Sequence, residues 1–313
     1  MRAVQHASEM LRIDGASKVF HLKPMLGPAH EVVALNNISL TIGAGKALAV
    51  VGESGSGEST LGRAVARLFT LSSGTIFFKG KDIARLHRRD ERHDYQRSVQ
   101  MVFQDPFSAL NPAHTIQHHL ERPLVLHRKL RGAALDAAVR EVCTDVELDP
   151  EATLSKYPHE LSGGQRQRVN LARALAVGAE LIIADEPTSM LDVSIRRSVL
   201  DLMRRMKETL AITFLYITHD IATAQFIADE IAIMYAGQVV EWGLPKLVIA
   251  NPQHPYTKLL LSAVPDPAVR LDEKDGRSFS SDAQAVRALA KKSTEDIREV
   301  QPGHYVRGYM AAS

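Results

Sequence analysis

A loop rich in glycine and serine stands between an apolar run and a helical pattern, and its composition suits phosphate binding. The run 47–51 reads ALAVV, and the helical pattern starts near Thr60. Glycines let successive backbone N–H groups turn inward, and the N-terminus of the following helix adds partial positive charge. The hydroxyl of Ser59 is placed to reach Mg²⁺. We therefore predict a nucleotide-phosphate loop made of Gly52, Glu53, Ser54, Gly55, Ser56, Gly57, Glu58, Ser59 and Thr60.

Position 58 departs from the usual pattern of such a loop, which has lysine before the serine or threonine. Glu58 puts a negative charge where lysine would contribute a positive one. At about 4 Å and an effective dielectric near 20, each unit-charge interaction is worth roughly 4 kcal/mol. We expect ATP binding to be weakened by several orders of magnitude. Rotation of the Glu58 side chain toward solvent and neutralisation of phosphate charge by Mg²⁺ should reduce that loss. The competing interpretation is that glutamate simply suits the first turn of a helix.

Further polar residues follow other apolar runs. The run LIIAD ends in Asp185, which a strand would deliver to the Mg²⁺ shell, and Glu186, which would act as general base. An ordinary solvated strand end fits that pair alone equally well. Gln104 and His219 each follow another apolar run, and either could be a polar strand end. Another helical pattern begins at the segment Leu161, Ser162, Gly163, Gly164 and Gln165. This segment is expected to form either a second anion-binding surface or a simple helix cap.

The apolar runs alternate with helical patterns, which predicts an α/β fold. Residues 105–160 lack a strand pattern and predict a helical insert. Beyond Gly243 the sequence changes to proline-spaced and then charged segments, which indicates a C-terminal extension. Strands are expected at 47–51, 98–103, 181–185 and 212–217 and in a hairpin around Ala236-Gly237, and helices at 60–69, 133–147, 165–177 and 193–209.

Composition narrows the class of protein. The net charge of +2 arises from 38 basic and 36 acidic residues, so we expect no nucleic-acid partner. The single cysteine, Cys143, excludes an internal disulfide and a metal site of clustered thiolates. The adjacent His118 and His119 have no second ligand pair at suitable spacing, and we interpret them as surface histidines. No apolar run approaches the ~20 residues that span a bilayer, so membrane contact is expected through a partner.

Together, these motifs resemble those of the ATP-binding subunits of ABC transporters, and they stand in that family's order from Phe20 to His219. The resemblance implies an α/β fold of the ABC type. This is a P-loop nucleotide-binding domain with an antiparallel β part, a helical subdomain at about 105–175 and a C-terminal extension. It also implies ATP and Mg²⁺ as cofactors. We expect the nucleotide-binding domain to span residues 1–245 and the extension to span residues 246–313.

The resemblance also implies a role for each motif, with ATP lying between the Walker loop of one chain and the signature motif of another. The implied assignments are Phe20 for adenine stacking; Gly52 to Thr60 for the Walker A loop, degenerate at Glu58; Ser59, Gln104 and Asp185 for Mg²⁺; Glu186, His219 and Gln104 for catalysis; Leu161 to Gln165 for the signature motif; and Leu191 and Asp192 for the D-loop.

A narrower resemblance, to oligopeptide and dipeptide importer ATPases, comes from the segments NPQHPYTKLL, QDPFSALNP and DEPTSMLDVS. It implies import of peptides, or of a related small solute, by a peripheral subunit on the cytoplasmic face of the inner membrane. The implied partners are a second ATPase subunit, identical or different, two permease subunits and a substrate-binding protein. Some relatives hold an iron–sulfur cluster on cysteines of the extension. This extension has no cysteine, so no such cluster is expected.

Two alternatives differ in class. In the first, Glu58 disables this chain's own site, and the chain is a regulatory half whose signature motif completes the partner's site. The presence of Glu186 and His219 argues against a long-standing loss of activity. In the second, the chain is a soluble ABC ATPase that acts on nucleic acid or ribosomes. A single set of motifs and the lack of sustained heptads disfavour that class.

Overall fold

The computed structural model describes residues 9–22, 30–262 and 293–309, together with Val286. These residues form two sheets and a set of helices. In chain order the strands are β1 Glu9–Leu22, β2 His30–Gly43, β3 Ala47–Val51, β4 Ser73–Phe78, β5 Lys81–Asp82, β6 Val99–Val102, β7 Leu181–Asp185, β8 Thr213–Thr218, β9 Glu230–Tyr235, β10 Gln238–Gly243, β11 Ser293–Gln301 and β12 His304–Tyr309.

Most of the helices connect these strands, and two follow the last strand before residue 262. They are α1 Glu58–Val65, α2 Arg89–Ser98, α3 Ile116–Arg128, α4 Ala133–Asp145, α5 Pro150–Thr153, α6 Gly163–Val177, α7 Val193–Leu210, α8 Ile221–Ile227, α9 Pro245–Ala250 and α10 Pro255–Ser262. None of the helices in the described part of the chain is long and apolar enough to cross a membrane.

The larger sheet has the strand order β11-β12-β10-β9-β3-β8-β7-β6. Strands β6, β7, β8, β3 and β9 run parallel, and β9, β10, β12 and β11 pair antiparallel. All five residues of β3 are buried, as expected for a central parallel strand covered on both faces. Because the parallel strands end at one edge, the loops after β3, β6, β7 and β8 lie at that edge, where open α/β sheets bind ligands.

The smaller sheet is antiparallel, with the order β2-β1-β4-β5. It confirms the antiparallel β part expected near the N-terminus. Its apolar side chains form one hydrophobic cluster with α1 and one face of the large sheet, including Leu11, Ile38, Leu61 and Val50. This cluster anchors α1, whose first residue is Glu58.

The chain between β6 and β7 is helical, which confirms the predicted helical insert. Helices α3, α4 and α6 pack through buried side chains such as Leu120, Val139 and Leu171. The prediction that His118 and His119 both lie on the surface is wrong for His119. The His119 ring turns inward, and its Nε2 lies 3.0 Å from the carbonyl oxygen of Asn111. Burial lowers the pKa of His119, which favours the neutral ring.

The hairpin predicted at Ala236-Gly237 joins β9 to β10. Both turn residues have left-handed backbones, with φ of 47° and 79°, which matches the twist of the flanking strands. The pattern did not predict α2, a highly charged helix in which only Tyr95 and Ser98 are buried. It also did not predict that β11 and β12 extend the large sheet. The division at residue 245 stays a prediction, and residues 263–285, which open the expected charged segment, lie outside the described residues.

Candidate functional site

The phosphate loop leaves buried strand β3 and ends where α1 begins at Glu58. Gly55 and Gly57 have φ of 90° and 107°, in the left-handed region that favours glycine. A Cβ on Gly57 would collide with the carbonyl oxygen of Ala34, so this position has no room for a side chain. The local sequence therefore folds into the predicted glycine-lined loop.

A turn shapes the front of this loop. The Ser56 N–H donates to the Glu53 carbonyl at 3.0 Å, and Gly237 of the β9–β10 turn donates its N–H to the Ser56 carbonyl at 2.8 Å. Ser54 is exposed and Thr60 is half-buried. The predicted loop residues therefore form one structural unit braced by the neighbouring hairpin, and their contact with nucleotide stays a prediction.

Two of the predicted Mg²⁺ ligands meet directly. Ser59 Oγ donates a hydrogen bond to Asp185 Oδ1 at 2.8 Å, which joins the start of α1 to the end of β7. Asp185 is buried, and burial raises the pKa of its carboxyl. A hydroxyl and a carboxylate side by side are hard oxygen donors of the kind that Mg²⁺ prefers.

Glu58 turns its carboxyl into the loop rather than into solvent. The side chain is 7% exposed, and a Cβ on Gly52 would collide with Glu58 Oε1. Among the described residues, Oε1 has no hydrogen-bond partner. Burial, with a smaller contribution from the charges of Asp185 and Glu186, raises the pKa of Glu58 to about 7. The site therefore holds a buried acidic group where this class of loop carries lysine.

The residues present fit a Mg²⁺–nucleotide complex in all but this one respect. Gly55 faces open space, and Ser59 with Asp185 offers a metal its oxygen donors. The carboxyl of Glu58 supplies no positive charge for the outer phosphates.

The pKa of Glu58 predicts a pH dependence of folding stability. Its pKa rises from 4.5 to about 7 on folding, so the carboxyl binds its proton more tightly in the folded chain. Stability from this group is therefore lost as pH rises from 4.5 towards 7. Between about pH 5.5 and about pH 8 the free energy of unfolding should fall by about 2 kcal/mol on this account. Urea unfolding of the wild type and of Glu58→Gln at both pH values measures it. An equal pH response in the two proteins would contradict the assignment.

Three predicted catalytic side chains meet at the ends of three strands. Gln104 Nε2 donates to Glu186 Oε2 at 2.9 Å, and His219 Nδ1 lies 3.0 Å from Glu186 Oε1. Gln104 follows β6, Glu186 follows β7 and His219 follows β8. Both carboxylate oxygens of Glu186 are thereby oriented. The structure brings the three side chains together, and their catalytic role stays a prediction.

The backbone at Glu186 is unusual. Its φ of 46° lies in the left-handed region, which costs a non-glycine residue about 1 kcal/mol or more. The Glu186 N–H donates to the carbonyl oxygen of Ile217 at 2.9 Å, which holds the conformation in place. Such strain persists where the surrounding structure imposes it, and it is concentrated at functional sites. The conformation aims the Glu186 carboxylate between Gln104 and His219.

The predicted signature motif forms the N-terminus of α6. Ser162 Oγ accepts from the Gln165 N–H at 3.3 Å, and Gln165 Oε1 accepts from the Ser162 N–H at 3.0 Å. This reciprocal pair is a capping box, so the helix-cap interpretation of the sequence describes the local structure correctly. Leu161 is buried, and a Cβ on Gly164 would collide with Ile195 of α7. The cap does not exclude anion binding, which stays a prediction for this motif.

The predicted D-loop lies against the same helix. Leu191 is buried, and its side chain would lie 3.1 Å from a Cβ on Gly163. Asp192 occupies the N-cap position of α7. Beside them, Met190 is 56% exposed and Val193 is 81% exposed. The signature motif and the D-loop therefore form one continuous surface with exposed apolar groups.

Phe20 lies on β1. Its ring meets the ring of Phe69 edge to face at a centroid distance of 5.5 Å. Lys18 Nζ lies 5.0 Å from the centroid of Phe20 and 5.1 Å from that of Phe69. Cation and rings form a half-buried aromatic platform, and adenine stacking on Phe20 stays a prediction.

Sequence reasoning missed one residue at this site. The hydroxyl of Tyr256, from α10, accepts a hydrogen bond from the Glu53 N–H of the phosphate loop at 3.0 Å. Tyr256 is fully buried and packs on Tyr235, with ring centroids 4.2 Å apart. The segment HPYT was used only as a sign of family resemblance. The contact joins residues 203 positions apart, so no local pattern reveals it.

Comparison with known proteins places this geometry in a family. Residues 35–189 match the family model described as "ABC transporter", and residues 240–290 match "Oligopeptide/dipeptide transporter, C-terminal region". The oligopeptide transport ATP-binding protein OppF of Bacillus subtilis (strain 168) is 40% identical over 292 residues, covering 92% of this chain and 94% of the relative. AppF of the same organism, also named an oligopeptide transport ATP-binding protein, is 37% identical over 297 residues, covering 90% of each chain.

Solved structures agree with the sequence relatives. The structure of CbiO1 from Clostridium perfringens, described as part of the ABC transporter complex CbiONQ, superposes with a TM-score of 0.68 at 28% identity and covers 78% of this chain and 92% of its own. A dimeric post-hydrolysis state of the ATP-binding cassette MJ0796, bound to ADP and Pi, gives a TM-score of 0.63 at 29% identity, covering 74% of this chain and 96% of its own.

The phosphate loop at the edge of a parallel sheet, the antiparallel β part and the helical insert define the fold of an ABC ATPase cassette. Within that class, the chain belongs to the ABC transporter ATPases of the oligopeptide/dipeptide importer type. This confirms the family resemblance drawn from the sequence. It also leaves the consequence of Glu58 to be argued from the site itself.

Proposed function

We propose that this chain hydrolyses ATP to energise the import of peptides across the inner membrane, from a peripheral position on the cytoplasmic face. The observation that carries the proposal is the placement of Glu186 between Gln104 and His219, beside the Ser59–Asp185 pair. The relatives named above as oligopeptide transport proteins support the choice of cargo. Peptide-stimulated ATP hydrolysis by the chain in its reconstituted transporter tests the proposal. Stimulation by no peptide but by another small solute would overturn the cargo assignment.

The chemistry follows from the positions of these side chains. Glu186 accepts a proton from the attacking water as general base. The amide of Gln104 and the ring of His219 each hold one of its oxygens, so the base is oriented before reaction. Ser59, Asp185 and Gln104 would hold Mg²⁺, which when bound neutralises phosphate charge.

Glu58 limits this site in the same proposal. Its buried carboxyl faces the loop that would hold the outer phosphates, so ATP binding carries an added electrostatic cost. A second candidate function rests on the same observation. If the cost is too great, the chain serves as a regulatory half whose signature motif, Leu161 to Gln165, completes the site of a partner ATPase.

The dimer in this proposal uses the surface shared by the signature motif and the D-loop. Met190 and Val193 expose apolar side chains there. The MJ0796 cassette named above is dimeric in two of the similar structures. We assign the partner as a second ABC ATPase subunit, either another copy of this chain or a related one.

A separate groove of about 180 Å³ lies between the end of β6 and helices α3 and α6. Phe103 lines this groove, is 45% exposed and directly precedes Gln104. We assign the groove to a cytoplasmic helix of a permease subunit, which would couple docking to the catalytic cluster. The other lining residues are Gln100, Met101, Val102, Ala109, Pro123, Asn170, Arg173, Ala174 and Val177.

Placing a charge in this groove should release the permease. We expect Phe103→Asp to reduce co-purification of the chain with the proposed permease subunits by about ten-fold or more, because the apolar ring is lost and a carboxylate would be desolvated in its place. Leu210→Asp, at the exposed end of α7, is the matched control and should co-purify normally. Equal recovery of permease with Phe103→Asp and with the control would contradict the assignment.

A further inference from the structure

A hydrogen bond joins the phosphate loop to the segment that follows β10. The Glu53 N–H donates to the hydroxyl of Tyr256. Glu53 is also the first residue of the loop's turn, because its carbonyl accepts from the Ser56 N–H. The phenol is fully buried, and burial raises the pKa of Tyr256 to about 12, so it stays protonated near neutral pH. The Glu53–Tyr256 hydrogen bond is partly buried, and an N–H shielded from water that loses its acceptor costs more than the hydrogen bond itself returned. The loop conformation at Glu53 therefore depends on a residue outside the loop.

A buried carboxylate holds the segment that carries Tyr256. Glu241 of β10 is fully buried, and its Oε1 accepts from the Gln253 N–H at 2.8 Å while its Oε2 accepts from the His254 N–H at 2.9 Å. The His254 ring Nδ1 accepts from the Tyr256 N–H at 3.2 Å. Burial lowers the pKa of His254 to about 4, which keeps the ring neutral and able to accept. These bonds set where α10 begins.

The C-terminal hairpin reaches the same carboxylate. His304 of β12 is fully buried, and its Nε2 lies 2.7 Å from Glu241 Oε1. β12 pairs with β10, and the Trp242 and Tyr305 rings stack at a centroid distance of 5.5 Å beside this contact. A continuous chain of buried polar contacts therefore runs from the C-terminal hairpin through Glu241 and Tyr256 to the phosphate loop.

We propose that Tyr256 is a positioning residue for nucleotide binding, which fixes the Glu53–Ser56 turn of the phosphate loop from the C-terminal extension. Glu241 in turn fixes Tyr256. The part that concerns nucleotide rests on the proposed function, whereas the part that concerns the loop does not. The hydroxyl of Tyr256 bonds Glu53 of the loop, whereas Gln104 and His219 bond Glu186 in the catalytic cluster.

Tyr256→Phe removes only the hydroxyl, and Thr257→Val is its matched control. Thr257 is the next residue of α10, is fully buried, and its Oγ1 has no hydrogen-bond partner among the described residues. In the full chain without nucleotide, we expect hydrogen exchange of the 52–57 amides to speed up about five- to thirty-fold in Tyr256→Phe and to be unchanged in Thr257→Val. Glu241→Gln should speed exchange both there and at the amides of Gln253, His254 and Tyr256. Equal exchange at 52–57 in the first two variants would overturn the proposal.

The nucleotide arm uses the Glu58→Lys chain, with fluorescent ATP as probe. Adding Tyr256→Phe should weaken affinity about five- to thirty-fold and raise KM, with kcat at saturating ATP retained. A merely structural role would lower kcat and the midpoint of thermal unfolding as well. Faster exchange with unchanged affinity would overturn the role in nucleotide binding. If Glu58→Lys itself binds no ATP, the proposed function fails, and the exchange result alone decides whether Tyr256 positions the loop.

Discussion

Replacing Glu58 with lysine should raise the affinity of the chain for Mg²⁺–ATP by about 100-fold or more. The substitution removes a buried acidic group from the loop and supplies the cation that such loops normally direct to the outer phosphates. Each unit-charge interaction is worth roughly 4 kcal/mol at about 4 Å with an effective dielectric near 20, and solvent and Mg²⁺ reduce the sum. Equilibrium titration with fluorescent ATP at about pH 8, where most of the Glu58 carboxyl is ionised, measures the gain.

Two variants separate the causes of that gain. Glu58→Gln removes the negative charge without adding a positive one, so its affinity should lie between those of the wild type and Glu58→Lys. Glu208→Lys makes the same change of net charge on the exposed face of α7 and should leave affinity unchanged. An equal gain from Glu208→Lys would mean that overall charge, rather than the loop, governs binding. Tight binding by the wild type with no gain from Glu58→Lys would show that the loop holds phosphate without the lysine.

Replacing Glu186 with glutamine should lower the rate of ATP hydrolysis by about 100-fold or more while leaving ATP affinity nearly unchanged. Glutamine keeps the size of the side chain and can still contact Gln104 and His219, but it cannot accept the proton of the attacking water. The measurement compares single-turnover hydrolysis by Glu58→Lys with that by the double variant Glu58→Lys, Glu186→Gln. The Glu58→Lys background makes the loss visible, since the parent site is expected to bind weakly.

A carboxylate elsewhere provides the control for that experiment. Glu208→Gln removes an exposed acid from α7 and should leave both turnover and affinity unchanged. A fall of less than about three-fold in the Glu186 variant would contradict the role of Glu186 as general base. A parallel loss of ATP affinity would instead indicate that the strained backbone at Glu186 had rearranged.

Strand periodicity predicted the edge of the sheet where the site lies, because each motif directly follows an apolar run. Strands β3, β7 and β8 fall at or within one residue of their predicted positions. Parallel pairing of those strands then brings Ser59 to Asp185 and His219 to Glu186. Local sequence could predict these meetings because the topology of a parallel sheet leaves few alternatives.

Contacts between distant segments could not be predicted in this way. Tyr256 reaches the phosphate loop only because Glu241, buried in β10, holds the start of α10. The C-terminal hairpin carries the charged pattern STEDIREVQ, which has too few apolar residues to indicate a strand. β11 forms because β12 pairs with β10 and offers β11 its free edge. The inward turn of His119 likewise depends on the carbonyl of Asn111 rather than on its own segment.

The most direct test of the whole account is ATP hydrolysis by a transporter reconstituted from this chain and the proposed permease and substrate-binding subunits. Three complexes are compared, which contain the wild-type chain, the Glu58→Lys variant or the double variant Glu58→Lys, Glu186→Gln. The account predicts a low rate of hydrolysis for the wild type and a rate at least about ten-fold higher for Glu58→Lys. The double variant should return to the low rate. Equal rates in all three complexes would contradict it, because the hydrolysis measured would then come from the partner ATPase alone.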